Sequence, residues 1–392
     1  MFVVLLQFYS THPTPVYGEL SRCLRDRSHT VWIGQPSTDG SFVFVDDQKI
    51  VDRIPGPSRR FNRSLDSFRF MLRLRQHVQT FHPDVVQITP SPWSWLLACR
   101  TTGHTVFVND IRTAGSGVGR GLRASLVDWS AWVSWRIGAA WLFDRTLFLN
   151  ETGARWLLGE RWADRSDVVP LGVGAHFLHA AGRPSEGRAD RPVRFVYLGT
   201  ISLERNLQHI LIAARAVRPG PIGFRVTFLG PDDAAGSRAA IRRLVDRDGL
   251  QDIVDFMEPV SYQQVPAVLQ RFDVALNYLP DTRVQRRQTL LKVLECRALG
   301  LPQITTRTAP NASVIRDCEN GLLVEDSPQA YAAAMQRLVD DRGLLDRLTR
   351  QAGQSRVGIT WAEVAEQYAS IYTRLRDARQ RPARAAMGST GP

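Results

Sequence analysis

Strand-like and helix-like segments alternate along almost the whole chain, and this alternation constrains the fold more than any other feature. The chain opens with the apolar run FVVLLQFY, continues with a segment of helical spacing, and then reaches the strand pattern HTVWIG. Units of this kind place successive strands in parallel, because the helix returns the chain to the starting end of the sheet. The sequence therefore predicts an α/β fold with parallel sheets that are doubly wound, carrying helices on both faces.

The alternation restarts near residue 193, which predicts two domains. The preceding stretch HAAGRPSEGRADRP is rich in Gly, Pro, Ala and charge, as linkers are. The predicted divisions are an N-terminal domain over 1–178, a linker over 179–192, a C-terminal domain over 193–375 and a disordered tail over 376–392. An alternative placement returns the helix that contains Trp361 to the first domain. Sheets of this type bind ligands at the carboxyl ends of their strands, so we expect the site in a cleft between the domains.

Charge and cysteine content narrow the class of protein. The 392 residues include 50 Lys and Arg against 38 Asp and Glu, a formal net charge of +12, which favours anionic partners. No motif of a nucleic-acid-binding domain is present, so we expect no nucleic-acid partner. The four cysteines are widely spaced and form no CxxC pair, which argues against a zinc site or a disulfide framework and fits the cytoplasm. No apolar run is long enough to span a membrane, and the apolar start reads as a buried strand rather than a signal peptide.

Two segments after residue 193 are specific enough to predict a binding site. In VRFVYLGTISLERNL, Gly199 and Thr200 follow directly on a strand, and Arg205 comes shortly after them. Glycine lets a backbone approach a ligand closely, and arginine binds phosphate groups bidentately.

The second segment, QTLLKVLECRALGLPQITT, predicts a helix that begins near Thr289, Leu290 and Leu291 and carries Lys292 and Glu295. The backbone amides of a first helical turn are unpaired and partially positive, and they bind phosphate without further basic residues. A carboxylate in such an apolar helix is costly to bury without hydroxyl or cationic partners. The alternative for Glu295 is a surface carboxylate that pairs with Lys292 or with Arg297.

Together with LGPDD and TWAEVAEQYASIYTRL, these segments resemble the retaining GT-B glycosyltransferases of family 4, the glycosyl transferases group 1, over about residues 140–375. The resemblance implies the GT-B fold: two Rossmann-like domains facing a central cleft, the first for the acceptor and the second for the nucleotide-sugar. It implies a hexosyl transfer from a nucleoside diphosphate sugar to a glycan or lipid-linked acceptor, with retention, as in polysaccharide biosynthesis. Metal and cofactor are expected to be absent, because helix amides and basic side chains neutralise the leaving diphosphate.

The resemblance also assigns roles to single residues. Glu295 matches the family glutamate that binds the donor ribose, Lys292 matches a lysine found in a subset of the family, and Arg205 matches a diphosphate-binding lysine. Arg287 stands eight residues before Glu295, where the family has a glutamate near the donor sugar, so that glutamate's role does not carry over. Thr200 stands where the family often has arginine, so the diphosphate site has lost one cation or has replaced it. Arg283, Arg286 and Arg287 are the candidate replacements.

The first half offers weaker candidates. Asp110 ends the strand HTVFVND, where a carboxylate can act as a catalytic base or bind the acceptor, and its alternative is a loop cap that pairs with Arg112. His12 follows the first strand, and its alternative is an ordinary loop histidine. Asp232 and Asp233 follow FLGP, and we interpret them as loop residues rather than metal ligands.

A basic, aromatic segment from Arg59 to Arg75 and the tryptophans between Trp129 and Trp141 are compatible with peripheral attachment to the inner face of the cell membrane. The alternative is a helix that packs on its own sheet. Two other functions also stay open. A sugar-nucleotide epimerase would need no acceptor, and an inactive nucleotide-binding homologue would explain Arg287 and Thr200.

Overall fold

A computed structural model describes residues 1–8, 14–57, 65–91, 93–99, 103–112, 129, 132–180, 190–220, 222–233, 236–282, 285–287 and 290–387. The chain divides into two units, one formed by Met1–Gly172 with Thr360–Pro392 and the other by Val173–Ile359. Each unit has its own sheet and its own apolar core, so the prediction of two α/β domains is confirmed. Of the described helices, none has the length and apolar character needed to cross a bilayer.

The sheet of the first unit has eight strands in the order β4-β3-β2-β1-β5-β6-β7-β8. The strands are β1 (Phe2–Leu6), β2 (Thr30–Pro36), β3 (Ser41–Asp46), β4 (Lys49–Pro55), β5 (Val85–Ile88), β6 (Val106–Ile111), β7 (Arg145–Phe148) and β8 (Ser166–Val168). The main helices are α1 (Pro15–Arg25), α2 (Leu65–Thr80), α3 (Glu151–Leu158) and α4 (Trp162–Arg165).

Two strands of this sheet correct the expectation of a purely parallel arrangement. β3 pairs antiparallel with β2 and with β4, so the sheet ends in an antiparallel extension. Asp47 and Gln48 join β3 to β4 with φ angles of 44° and 78°, the left-handed values that a tight hairpin turn requires. The alternating pattern SFVFVD, followed by the polar residues DQK, is typical of a hairpin. The hairpin was not predicted because the helix-strand units around it are the stronger pattern.

The second unit holds a six-stranded parallel sheet in the order β11-β10-β9-β12-β13-β14. Its strands are β9 (Val193–Leu198), β10 (Phe224–Leu229), β11 (Val254–Met257), β12 (Val274–Asn277), β13 (Gln303–Thr306) and β14 (Gly321–Val324). Its helices are α5 (Ala175–His179), α6 (Gln208–Ala216), α7 (Ser237–Arg247), α8 (Val265–Leu269), α9 (Leu291–Leu299), α10 (Ala309–Ala312), α11 (Pro328–Asp340) and α12 (Arg342–Gln354). The strand order reverses direction at β9 and β12, and ligands of such sheets bind at that switch point.

The chain passes between the two units twice, after Gly172 and after Ile359, and both boundaries differ from the predicted ones. The second unit begins at Val173, before the predicted linker at 179–192, because Phe177 of α5 is buried in a core with Cys296 and Leu299 of α9. Most of that linker, residues 181–189, lies outside the described residues.

The last helix, α13 (Trp361–Met387), belongs to the first unit rather than to the second, where the sequence placed it. Trp361 packs against Gly172, where an added Cβ would lie 2.8 Å from the indole ring. Farther along, Arg374 donates to Asp167 at 2.8 Å and Arg379 donates to Asp144 at 2.6 Å. Residues 376–387, which were predicted to be disordered, belong to this helix. Residues 388–392 lie outside the described residues.

Candidate functional site

The loop after β9 lies at the switch point of the second sheet and carries the first predicted motif. Gly199 has a φ of +136°, which side chains rarely adopt, and it donates its backbone N–H to Leu229 at 3.0 Å. A Cβ added at Gly199 would lie 3.5 Å from Arg205 Nη1 and 3.9 Å from Lys292 Cδ. The structure therefore brings Arg205 and Lys292 together around the glycine, although they are 87 positions apart in the sequence.

Helix α9 begins beside this loop, at Leu291, slightly later than the sequence predicted. Leu290 precedes it in an extended conformation, and no described side chain caps its N-terminus. Thr289, predicted to contribute an amide, lies outside the described residues. Leu291 and Lys292 thus provide the first backbone amides of a nine-residue helix, whose dipole favours a negative charge at this end.

Lys292 is buried at this helix start without a hydrogen-bond partner. Its residue exposure is 8 %, and its Nζ has no acceptor among the described residues. The ammonium lies 4.3 Å from the ring centroid of Tyr197, a weak compensation for lost water. Burial, followed by the positive charge of Arg205, lowers the pKa of Lys292 to about 7. A buried amine with no partner is costly, so the site favours a ligand that brings negative charge.

Glu295 is the second buried group without a full set of partners. It is 5 % exposed, and its Oε1 has no hydrogen-bond partner among the residues described. Burial raises the pKa of Glu295 to about 7, against a smaller opposing effect of a hydrogen bond with Tyr262. The alternative of a surface carboxylate is excluded, because Glu295 is buried and Arg297 donates instead to Ser355 Oγ at 2.9 Å.

Lys292 and Glu295 lie three positions apart on one helix and carry opposite charge, yet these two described side chains form no ion pair with each other. Lys292 faces Tyr197 and the Gly199 loop, whereas Glu295 faces Tyr262, which follows β11. The two groups therefore mark the two ends of one surface along the carboxyl edge of the sheet. An anion suits the lysine end, and hydroxyl donors suit the carboxylate end.

Two aromatic residues of the site were not predicted from the sequence. Tyr197 is fully buried, packs under Lys292, and has a pKa that burial raises while Arg205 opposes the rise. Tyr262 contacts the rings of His176 and Phe177 at centroid distances of 5.0 and 5.5 Å. Tyr197 lies within the segment VRFVYLGTISLERNL but was given no role there, and Tyr262 lies outside both segments. Only the folded chain brings each of them to α9.

The remaining basic candidates have different surroundings. Arg286 forms a bidentate ion pair with Asp281, with both distances at 2.6 Å, so it is already neutralised. Arg287 lies in the same short turn and is half-buried. Thr200 contributes its backbone carbonyl to the hydroxyl of Tyr197 at 3.2 Å. Arg283 lies outside the described residues.

Asp110 belongs to the first unit and is surrounded by partners of that unit. It is 1 % exposed and accepts hydrogen bonds from Gln87 at 2.7 Å, Tyr368 at 3.3 Å and Tyr17 at 3.4 Å. Its Oδ1 also pairs with Arg112 Nε at 2.8 Å, as the sequence alternative proposed. Burial raises the pKa of Asp110, against the opposing charge of Arg112. These contacts describe a structural group, and its catalytic role stays a prediction.

Other carboxylates and histidines singled out from the sequence add nothing to the site. Asp232 accepts from the backbone N–H of Arg238 at 2.8 Å, and Asp233 accepts from that of Ser237 at 3.0 Å, so both stabilise the start of α7. Among the described residues, no three His, Cys, Asp or Glu side chains are grouped as metal ligands would be. His12 lies outside the described residues.

Comparison with known families adds two matches that follow each other along the chain. A family model described as Glycosyltransferase Family 4 matches residues 16–177, and one described as Glycosyl transferases group 1 matches residues 192–341. A curated relative, the D-inositol 3-phosphate glycosyltransferase of Corynebacterium urealyticum, is 25 % identical over 173 residues, which cover 43 % of this chain and 40 % of that protein. The chain thus spans less than half the length of this relative.

Solved structures resemble the chain over nearly its whole length. The sucrose-phosphate synthase of Thermosynechococcus elongatus gives a TM-score of 0.75 at 18 % identity and covers 96 % of this chain and 99 % of its own. The Anabaena protein HepE, solved in complex with UDP-glucose, gives a TM-score of 0.68 at 14 % identity. The match covers 95 % of this chain and 100 % of the HepE chain. At such identities the likeness establishes the fold alone, and that fold is GT-B.

Proposed function

We propose that this chain, which belongs to the group 1 glycosyltransferases of the GT-B fold, transfers a sugar from a nucleoside diphosphate donor to an acceptor hydroxyl. One observation carries the proposal: Lys292 and Glu295 are buried on the same helix, and each has a polar atom without a partner among the described residues. A nucleoside diphosphate offers what each of them needs, an anion for the lysine and ribose hydroxyls for the carboxylate.

The donor would lie along the start of α9. Its diphosphate would occupy the space around Gly199, where Arg205, Lys292 and the amides of Leu291 and Lys292 converge. Its ribose would donate hydroxyl hydrogens to Glu295, and the nucleoside would then point toward Tyr262. The solved complex of HepE with UDP-glucose supports a donor of this class.

In the reaction the bond between the anomeric carbon and the diphosphate oxygen breaks, and its electron pair goes to that oxygen. The acceptor oxygen forms the new bond to the anomeric carbon, and its proton passes to the departing diphosphate. Negative charge therefore develops on the leaving diphosphate, where Arg205, Lys292 and the helix amides stabilise it without further reorganisation. We propose retention of configuration and no metal requirement, because fixed cationic groups already surround this position.

A thermal-shift screen with UDP-, GDP- and ADP-sugars tests the proposal. A donor at a hundred times its Kd stabilises the folded state by about 2.7 kcal/mol and raises the melting temperature. The variant Lys292→Met should abolish this shift, whereas Lys49→Met, an exposed lysine of β4, should leave it unchanged. If no nucleotide raises the melting temperature of the wild-type protein, the proposed function is wrong. Incubation with a donor alone separates transfer from epimerisation, since only an epimerase would convert the donor without an acceptor.

The acceptor is a glycan or a lipid-linked sugar in our proposal, with attachment to an anionic membrane in the second case. The structure changes the surface that would make this contact. The aromatic face of α2 packs into its own core through Phe70, Met71 and Leu74, so that helix keeps mainly its basic face outside. Trp129 and Trp141, by contrast, are 63 % and 79 % exposed, and tryptophan favours bilayer interfaces.

Sedimentation with phosphatidylglycerol vesicles tests the membrane contact. Trp141→Ser should weaken binding, whereas Trp162→Ser, a partly buried tryptophan of α4, should weaken it less. Equal binding by the Trp141→Ser variant and the wild-type protein would contradict this contact and would leave the transfer reaction itself untouched.

A further inference from the structure

The turn that carries Arg205 ends in a residue with an unusual backbone conformation. Residues Leu203–Arg205 form one short helical turn after β9, here called the Arg205 turn, and Asn206 closes it with a φ of 52° and a ψ of 37°. These are left-handed values, which residues other than glycine seldom adopt, although asparagine adopts them more readily than most. The orientation of Arg205 therefore depends on what holds Asn206, the next residue, in this conformation.

The Arg205 turn is held at both of its ends. At its start, Leu203 donates its backbone N–H to Ser237 Oγ at 3.1 Å. At its end, the backbone N–H of Asn206 donates to the carbonyl of Leu203 at 2.9 Å. The side chain of Asn206 reaches farther, because it forms a hydrogen bond with the hydroxyl of Tyr278. The end of the turn is thus tied to another part of the sheet.

The hydroxyl of Tyr278 is the centre of this connection. Tyr278 directly follows β12 and is fully buried, and its hydroxyl donates to Asp326, which follows β14, and lies 2.6 Å from His209 Nδ1. Because its hydrogen goes to the carboxylate, the hydroxyl oxygen can accept from both Asn206 and His209. Asp326 is itself oriented by the backbone N–H of Asp281 at 2.8 Å. One hydroxyl therefore joins the loops that follow β9, β12 and β14.

The Arg205 side chain faces the space that the proposed diphosphate occupies. It forms a hydrogen bond with the hydroxyl of Tyr197, and its Nη1 would lie 3.5 Å from a Cβ added at Gly199. A guanidinium that is already in place when an anion arrives loses little conformational freedom on binding, whereas one on a loose turn must first be ordered. The affinity for a diphosphate therefore depends on how firmly the turn is held.

We propose that Tyr278 is a positioning residue of the diphosphate site, because its hydroxyl holds Asn206 and thereby fixes the turn that presents Arg205 to the ligand. This inference rests on the proposed function, since it takes Arg205 as a ligand of the donor diphosphate. Tyr278 acts through Arg205 rather than on the donor directly. Loss of the hydroxyl should thus weaken the binding of the phosphate groups and leave that of the nucleoside intact.

Calorimetric titration of Tyr278→Phe with paired ligands tests the inference. The pairs are UDP with uridine, GDP with guanosine and ADP with adenosine, and the pair used is the one whose diphosphate binds the wild-type protein. Tyr278→Phe should raise the Kd of the diphosphate about tenfold, because the turn then holds Arg205 in place in only a fraction of the molecules. The Kd of the nucleoside should change by less than about twofold, because the nucleoside does not contact the Arg205 turn in the proposed arrangement.

Two further variants separate positioning from a general loss of structure. Asn206→Gly keeps the left-handed backbone but removes the amide that bonds Tyr278, so it should weaken diphosphate binding in the same selective way. Tyr331→Phe is the matched control, since this buried hydroxyl lies 3.3 Å from Thr306 Oγ1 and its ring contacts that of Tyr278 at a centroid distance of 5.0 Å. This control should leave both Kd values unchanged.

Each other outcome has a distinct meaning. An unchanged Kd of the diphosphate in Tyr278→Phe overturns this inference, and so does an equal loss of affinity for nucleoside and diphosphate. A further loss when Tyr278→Phe is added to Arg205→Ala also overturns it, because the tyrosine then acts by another route. If Tyr278→Phe does not fold, Asn206→Gly decides by the same measurements. If the wild-type protein binds none of the diphosphates, the proposed function fails first and this inference fails with it.

Discussion

Asp110 in the first unit and Glu295 in the second differ in their partners far more than in their burial. Each is an acidic residue from an apolar segment, and they are 1 % and 5 % exposed. Asp110 is bonded to Arg112, Gln87, Tyr17 and Tyr368, all within its own unit. Among the described residues, each carboxylate keeps one oxygen without a hydrogen bond, but that of Asp110 lies 2.8 Å from Arg112 Nε, whereas Glu295 has no ion pair and the amine of Lys292 has no acceptor.

The comparison shows that burial alone does not identify a ligand site, whereas the supply of partners separates the two cases. A buried charge whose chain supplies its donors is part of the structure, and removing one partner is strongly destabilising. A buried charge without donors lowers stability and persists where a ligand completes it. The following predictions test that distinction, from the largest expected effect to the smallest.

Glu295→Ala should lower transfer activity by at least about a hundredfold, because the buried carboxylate is replaced at the point where the ribose hydroxyls would bind. Its melting temperature should not fall, since no partner loses a strong bond. Transfer rates with the best donor and differential scanning calorimetry measure both effects. Glu319→Ala, at an exposed glutamate, is the control. Wild-type turnover in Glu295→Ala would remove this residue from the donor site.

Asp110→Ala should have the opposite profile and lower the free energy of unfolding by about 3 kcal/mol, because it removes the counter-charge of Arg112 together with the acceptor of Gln87, Tyr17 and Tyr368. Urea denaturation measures the change, and calorimetric titration with the donor nucleotide should give the wild-type Kd. If the variant is as stable as the wild-type protein but fails to transfer sugar, Asp110 acts on the acceptor as the sequence predicted.

The double variant Lys292→Met with Glu295→Gln should be more stable than the wild-type protein at pH 7, by about 2 kcal/mol, because two uncompensated buried charges are removed. The difference should be largest near pH 7. Between 4.5 and about 7 the folded state retains the Glu295 proton, so wild-type stability falls as the pH rises. Between about 7 and 10.5 the unfolded state alone binds the Lys292 proton, so wild-type stability rises again.

Urea denaturation of both proteins across this pH range measures the difference. If the difference in the free energy of unfolding between the double variant and the wild-type protein does not vary with pH, Lys292 and Glu295 have compensating partners.

Tyr372→Phe should cost about 1 kcal/mol of stability, because it leaves the buried amide oxygen of Gln87 without this donor. Tyr368→Phe should cost less, since Asp110 keeps its other donors. Melting temperatures of the two variants measure this ranking. The reverse ranking would mean that the hydrogen bond from Tyr368 to Asp110 contributes more to stability than the one from Tyr372 to Gln87.

The sequence predicts those features of the fold and of the site that depend on a local pattern. Gly199 follows strand β9 and Lys292 lies in the first turn of α9, with Arg205 and Glu295 a few residues farther along the chain. Parallel topology brings the strand ends and helix starts of such a sheet to one edge. The fold class followed from the same alternation. The antiparallel strands β3 and β4 were missed because their short alternating pattern stood between stronger signals.

Partners distant in sequence could not be derived from any local pattern. Tyr368 reaches Asp110 from 258 residues away, and Tyr262, which follows β11, reaches Glu295 of α9 from another part of the sequence. On sequence alone, both Asp110 and Glu295 were functional candidates, and Asp110 was the weaker of the two. Only the folded contacts separate the group with its own partners from the group without them.

The return of α13 to the first unit also decides the order in which the chain becomes complete during translation. A nascent chain that has emerged as far as Ile359 contains every residue of the second unit. The first unit, although synthesised first, still lacks Tyr368, Tyr372 and Arg379, the donors for Asp110, Gln87 and Asp144. On the ribosome, the second unit can thus form its native contacts before the first unit, which is completed only once α13 has emerged.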